Sequence, residues 1–248
     1  MLVRRFVRRS IEIKKKLFLI LLLIAAISGL GAFTVQHFWG QSGVYRATVF
    51  HEARPTVNIY TAGMAVEVSV WDGEEIKLEC VAELPLMIEQ DEYETEVTIS
   101  QDDGFAVSIF TLDLFRYKLK VFLPKEPELF GETGQYKEIN IKTAGGKVSL
   151  DGYNLNAALC KIETKNADVS IVRATGVYTV NTRSGNVYMD YDYLESATVI
   201  ESESGNVEVR IPDYHADEVK SKLRVSTARG KFDLIFKDMN LPENYPLL

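Results

Sequence analysis

The densest chemistry in the 248 residues is YMDYDYLES at 188–196. It brings Tyr188, Tyr191 and Tyr193 together with Asp190, Asp192 and Glu195. Phenol rings beside carboxylates can stack on a glycan, and Asp190 with Asp192 could ligate a cation. The run lacks the glycine turn and bidentate glutamate of a calcium loop, so cation binding is the weaker version. The competing reading is a solvated return segment with one or two tyrosines packed inside. The candidate ligand or partner patch is Tyr188, Asp190, Tyr191, Asp192 and Tyr193.

Other reactive residues are sparse. His37, His51 and His215 show no ligand spacing, and His37 borders an apolar run. No Ser/His/Asp order, phosphate loop or metal motif stands out. Some β-helices cleave polysaccharides with clustered carboxylates, but the acids here are scattered as on a solvated surface. The expectation is a protein that is not an enzyme, with no catalytic, cofactor-binding or metal-binding residues and no cofactor. A polysaccharide-active enzyme is the less favoured alternative.

Charge divides the chain. Residues 1–40 carry seven bases and one acid, leaving 21 bases and 34 acids for the rest. An acidic body argues against nucleic acid as a partner. LFLILLLIAAISGLGAFTVQHFW, from Leu17 to Trp39, holds no Asp, Glu, Lys or Arg. At about 1.5 Å per residue it can cross a hydrocarbon core of roughly 30 Å. Arg4, Arg5, Arg8, Arg9, Lys14, Lys15 and Lys16 precede it, and the next base is Arg46. That asymmetry predicts a single-pass helix over 17–39 with the amino terminus cytoplasmic and the bulk of the chain extracytoplasmic. A cleaved signal peptide, cut near Ala26-Ile27-Ser28, is the alternative.

The elements that carry the patch are set by a repeat. Units begin at Ile141, Ile162, Val180, Ile200 and Val225. Two residues later stand Thr143, Thr164, Thr182, Ser202 and Thr227. Five later come Gly146, Ala167, Gly185, Gly205 and Gly230, and seven later Val148, Val169, Val187, Val207 and Phe232. An earlier unit, Val57, Ile59, Thr61, Val66 and Val68, fits with Met64 in the glycine place. Another at Val97, Ile99 and Gly104 fits if one residue is inserted before Val107 and Ile109. The steps from Ile59 to Ile99 to Ile141 each approach two periods, which suggests a repeat degraded between 70 and 138.

Apolar residues alternating at period two make each half-unit a strand with one buried face. The Gly or Ala column marks a bend that is crowded or needs positive φ. A single unit cannot bury its apolar face, whereas stacked units can. The predicted fold is all-β, a β-solenoid with a period of about 20 residues. Stacking would set Lys142 beside Glu163, Lys147 beside Asp168, Arg183 beside Glu203, and Asn186 on Asn206. Glu208 beside Asp233 counts mildly against it. The alternative is a β-sandwich or hairpin array, which would pair Thr182 with Val187. In the stack, Cys80 and Cys160 lie about four coils apart, near 19 Å, too far for a disulfide.

Leu/Ile-Pro pairs at Leu123-Pro124 and Ile211-Pro212 end strands, each followed by a polar segment. The expected organisation is a basic tail (1–16), a transmembrane helix (17–39), an irregular front half (40–138), regular repeats (139–238) and a tail (239–248).

The I/V-x-T/S-x-x-G-x-V-x-Φ motif, the Pro-ended strands and the apolar amino-terminal segment together resemble the bacterial putative-adhesin family with β-strand repeats. The resemblance spans about 50–238 and is specific at 139–211. It implies a β-helix-like extracytoplasmic domain acting at the cell envelope, and it supplies no catalytic residues. Because some relatives serve envelope-stress responses, it also implies a regulatory or sensory alternative. The favoured expectation is a non-enzymatic binding or scaffolding module at the cell membrane. Its partners would be the lipid bilayer through 17–39 and an envelope protein, wall polymer or lipid headgroup.

Overall fold

Period-two alternation dominates the observed secondary structure. The computed structural model describes residues 45–82, 86–93, 95–101, 117–129, 132–194, 197–213 and 217–237. The front part contains β1 (Tyr45–His51), β2 (Thr56–Thr61), β3 (Ala65–Trp71), β4 (Ile76–Ala82), β5 (Leu86–Gln90), β6 (Glu96–Gln101) and β7 (Lys118–Pro124). The two-residue strands β8 (Glu128–Leu129) and β9 (Glu132–Thr133) follow. The back part contains β10 (Glu138–Thr143), β11 (Val148–Asp151), β12 (Cys160–Thr164), β13 (Val169–Ala174), β14 (Tyr178–Thr182) and β15 (Val187–Tyr191). It continues with β16 (Thr198–Ser202), β17 (Val207–Pro212), α1 (Val219–Lys222), β18 (Leu223–Thr227) and β19 (Phe232–Lys237).

These strands form two large sheets. A nine-stranded sheet runs β1-β4-β7-β3-β11-β13-β15-β17-β19, and an eight-stranded sheet runs β18-β16-β14-β12-β10-β2-β6-β5. From β10 onward, each turn of chain lays one strand in each sheet, parallel to the strand a unit earlier. Thr182 is level with Thr164 and Ser202, and Val187 with Val169 and Val207. The hairpin pairing of Thr182 with Val187 does not occur. The fold is an all-β, solenoid-like stack.

The core lies between the sheets. Val57, Ile59, Val66, Ile141, Val148, Ile162, Val180 and Val207 are all at most 1% exposed. Tyr178 and Tyr191, from the two strands of one turn, meet edge-to-face at 6.4 Å between ring centroids. That contact puts the start of one strand level with the end of its successor, so each turn is an arch with its inward residues facing.

The bends explain the hydroxyl and glycine columns. Thr182 Oγ1 accepts the Gly185 N–H at 3.0 Å, and Thr143 Oγ1 does so for Gly146 at 3.1 Å. The glycines answer crowding rather than positive φ. A Cβ on Gly185 would come 1.7 Å from the Ala167 carbonyl oxygen, and one on Gly205 1.9 Å from that of Gly185. Among the described residues the glycine with positive φ is Gly176, outside the column.

The front half departs from the expected order. Ile59 is level with both Ile99 and Ile141, so each of those steps is one rung, not two periods. The first unit in sequence is the second in space, between β6 and β10. The intervening lengths leave the repeat. Of these, β4 pairs antiparallel with β1 and β7, and β5 pairs antiparallel with β6. The Val97 unit is completed in the nine-stranded sheet by Leu119 and Val121, level with Val66 and Val68. Val107 and Ile109, expected to fill that role, lie outside the described residues, as do the predicted helix 17–39 and the tail 239–248. Among the described residues no helix is long and apolar enough to cross a membrane.

Cys80 and Cys160 are free, buried thiols in different sheets. β4 stands four strand spacings from β13, the strand of Cys160's own turn.

Candidate functional site

Outward residues on the nine-stranded sheet form rows that cross the stack, because register is kept from strand to strand. One row runs from Glu67 through Ser149 and Ser170 to Tyr188 and Glu208. The serines are short, so this stretch is sunk between bulkier neighbours. A groove of about 240 Å³ lies there, lined by Ser69, Ser149, Ser170 and Val172, with Lys120 and Phe122 on one side. A second depression, about 340 Å³, lies across β1, β4 and β7 among Arg46, Thr48, Glu79, Lys118 and Lys120.

The groove is flanked by charge and rings. Arg173, at φ +52°, occupies the left-handed region where β13 and β15 slip register. Its side chain ion-pairs with Asp151 and lies 4.7 Å from the Tyr153 ring centroid. Lys77 lies 4.8 Å from the Phe122 ring centroid, and Arg210 5.4 Å from that of Tyr188. The sequence signal for the groove was serine at Ser149 and Ser170, where the next two units carry Tyr188 and Glu208.

The sequence-derived patch is divided by alternation. Tyr191 shares the inward parity of Val187 and Met189, is fully buried, and donates from its hydroxyl to Thr198 Oγ1 at 2.5 Å. No outside ligand can stack on it. Tyr188, Asp190 and Asp192 are half-buried, and Tyr193 is 48% exposed. Lys237 Nζ ion-pairs with Asp190 and lies 4.0 Å from Asp192 Oδ1. The two aspartates therefore already share a cation from the last strand.

Cross-rung polar contacts follow the expected register. Lys142 Nζ lies 3.0 Å from Glu163, and Glu203 receives Arg183 at 3.3 Å and Arg229 at 2.9 Å. These pairs are exposed, so each is worth little on its own. Lys147 makes no ion pair with Asp168 among the described residues. Asp168 Oδ1 instead accepts the Asn186 N–H at 2.8 Å. The asparagines likewise bond side chain to backbone rather than amide to amide, with Asn206 N–H on Asn186 Oδ1.

His51 lies in β1 with Nδ1 2.9 Å from the Glu52 carbonyl oxygen, while His37 and His215 lie outside the described residues. Among the described residues no three His, Cys, Asp or Glu side chains cluster to hold a metal. Burial pushes the Cys80 thiol up to about 11 and the Cys160 thiol up to about 12. Neither is poised as a nucleophile at neutral pH.

The stack has two dissimilar ends. Tyr45, where the described chain begins, lies on β1 at one margin of the nine-stranded sheet, and β19 lies at the other. At the β19 end no further strand follows among the described residues. Phe232 is 42% and Phe236 44% exposed, and Leu223, Val225 and Leu234 are only half-buried.

No curated protein matches the chain. Among solved structures, a putative cell adhesion protein from Clostridium sporogenes is 14% identical with a TM-score of 0.47, covering 78% of this chain and 100% of its own. A putative adhesin from Bacteroides fragilis is 8% identical with a TM-score of 0.33, covering 79% of this chain and 97% of its own. Residues 131–237, the Thr/Ser-x-x-Gly arches from just before β10 to the end of β19, match the family model of Toastrack DUF4097.

Proposed function

We propose that this chain is a non-enzymatic, adhesin-like binding module, anchored in a bacterial cell membrane by residues 17–39 and displayed on the extracytoplasmic side. One observation carries the reading. The strand next in sequence to the apolar segment, β1, and the last described strand, β19, lie at opposite margins of the nine-stranded sheet, eight strand spacings apart. That is about 38 Å at 4.8 Å per spacing. A rigid stack holds its two margins apart. Arched rungs joined by backbone bonds and short polar ladders supply the rigidity.

Protease added to intact cells tests the location. The reading requires residues 45–237 to be degraded while a cytoplasmic control survives, and requires the domain to be released when 17–39 is deleted. A domain protected until the cells are lysed contradicts it. Removing residues 1–16 with insertion preserved separates a passive module from a regulatory subunit. Retained binding to envelope fractions fits the passive module, and an altered envelope-stress response without loss of binding fits the regulatory one.

A further inference from the structure

Charge is sorted between the two sides of the stack. From β10 onward each turn crosses from the eight-stranded to the nine-stranded sheet through a bend, at 144–147, 165–168, 183–186, 203–206 and 228–231. It comes back through a return segment, at 152–159, 175–177, 192–197 and 213–222. The bends carry five bases and two acids, a net +3, and the returns two bases and five acids, a net −3. A five-residue strand sets the two sides about 16 Å apart at roughly 3.3 Å per residue, twice the screening length of about 8 Å at physiological salt. The acidic returns therefore do not neutralise the basic bends.

The bends form one continuous ridge. Asn166 donates its backbone N–H to the Ala144 carbonyl at 3.0 Å, and Ser184 to that of Lys165 at 3.0 Å. Ser204 donates to the Arg183 carbonyl at 2.9 Å, and Arg229 to that of Glu203 at 3.0 Å. Bend is thus held on bend at the rung spacing. The cations of the ridge, Lys147, Lys165, Arg183, Arg229 and Lys231, are all exposed. Arg183 and Arg229 both reach Glu203 and share that one counter-charge. Lys147, Lys165 and Lys231 have no acidic partner among the described residues.

These features narrow what the ridge can hold. In the bend 183–186 all four amides are already used, by the Thr164 and Lys165 carbonyls, Thr182 Oγ1 and Asp168 Oδ1. The backbone there offers no nest of N–H groups for a single anion, and the three lysines stand on different rungs. Lys147 and Lys231 precede strands four spacings apart, about 19 Å at 4.8 Å each. Only an elongated ligand meets all three. Carboxylates are matched by the arginine fork, and both guanidinium groups already face Glu203. The free groups are ammonium point charges, which suit phosphate. No Phe, Tyr or Trp stands in the bends, so nucleotide bases would find no ring to stack on.

We infer that the bend ridge binds a linear, phosphate-bearing polymer lying across the rungs, with Lys147, Lys165 and Lys231 as its contacts. On the reading given under Proposed function, and resting on it, the occupant is a phosphodiester-linked polymer of the wall.

Amine-labelling footprints of the full chain in non-ionic detergent micelles, with and without inorganic polyphosphate, test the ridge. They are blind to where the protein resides, so their failure is distinct from failure of the anchor. Reading each lysine by mass spectrometry separates the ridge from the basic residues of 1–16. Polyphosphate should protect Lys147, Lys165 and Lys231 and leave Lys137 and Lys220, exposed on the return side, unprotected. Protection should fade as salt rises. Lys147→Glu with Lys165→Glu should raise the concentration that half-protects Lys231 about tenfold or more. Lys137→Glu with Lys220→Glu makes the same change in net charge and should shift it less than about twofold. Glu203→Gln, which releases two guanidinium groups, should lower it. All these positions are exposed, and unchanged melting temperatures would show the variants folded. Absent protection, equal shifts from the two double variants, or equal protection by inorganic phosphate at matched phosphate content each overturns the inference. So does stronger protection by anionic phospholipid vesicles or single-stranded DNA than by polyphosphate.

Discussion

Asn206 donates its backbone N–H to Oδ1 of Asn186 at 3.0 Å, one rung away. The same relation recurs from Asn186 to Asp168 and from Lys231 to Asn206, at 2.8 and 2.9 Å. A side-chain oxygen at this position thus satisfies a bend amide that the strand ladder leaves over. An acceptor is what the position needs, so Asn186→Asp should leave stability within about 0.5 kcal/mol of wild type. Asn186→Leu should cost about 0.5–1.5 kcal/mol. Urea unfolding midpoints distinguish the two, and equal loss for both variants contradicts the ladder.

The glycine column makes a sharper demand. Gly205→Ala places a Cβ 1.9 Å from the Gly185 carbonyl oxygen, and both backbones must give way. The expected cost is about 1–3 kcal/mol by overpacking. Gly145, whose Cβ would meet only the Ala62 carbonyl oxygen at 3.9 Å, should accept alanine with little change. Thermal melting of the two variants checks the contrast.

Buried thiols set an alkaline limit. Burial raises Cys160 from 9.0 to about 12 and Cys80 from 9.0 to about 11. The folded state holds these protons more tightly than the unfolded state. Their contribution to stability is therefore complete below about pH 9 and is lost as pH rises toward the folded values. Denaturant midpoints should fall between about pH 7 and about pH 10.5, and Cys160→Ala should reduce the slope. In native buffer at neutral pH neither thiol should react with an alkylating reagent, and both should react in denaturant. Rapid native labelling would contradict the burial.

The tyrosines of 188–193 should separate by parity. Tyr191→Ala removes a fully buried ring and the bond to Thr198, for about 3–5 kcal/mol. Tyr193→Ala, at an exposed position, should stay within about 0.5 kcal/mol. Melting temperatures read this directly. Similar losses at both positions would mean the alternation is misassigned.

The back half was legible because neighbours in space are also neighbours in the repeat. Thr182, Ser202 and Thr227 sit on successive rungs, and the unit length alone predicts that. The front half was not, because space and sequence part company there. Ile59 lies between Ile99 and Ile141, while β4 and β5 occupy the intervening lengths without following the motif. Leu119 and Val121 complete their rung some twenty residues after Ile99 with no Thr-x-x-Gly bend to announce it. At the patch, composition drew attention to five residues, but the period-two pattern that assigns Val187 and Met189 inward also assigns Tyr191 there. The groove at Ser149 and Ser170 escaped notice because small residues carry no chemical signal of their own. It follows from register across strands.

The separation of the two margins of the nine-stranded sheet is the claim on which the proposed function stands. Thr48 on β1 and Glu208 on β17 lie in one outward row, seven strand spacings apart. Spin labels at those two positions, measured by pulsed dipolar spectroscopy in detergent, should give a narrow distribution near 34 Å at 4.8 Å per spacing. A separation near 20 Å, or a broad distribution, would show that the margins are not held apart by one continuous sheet.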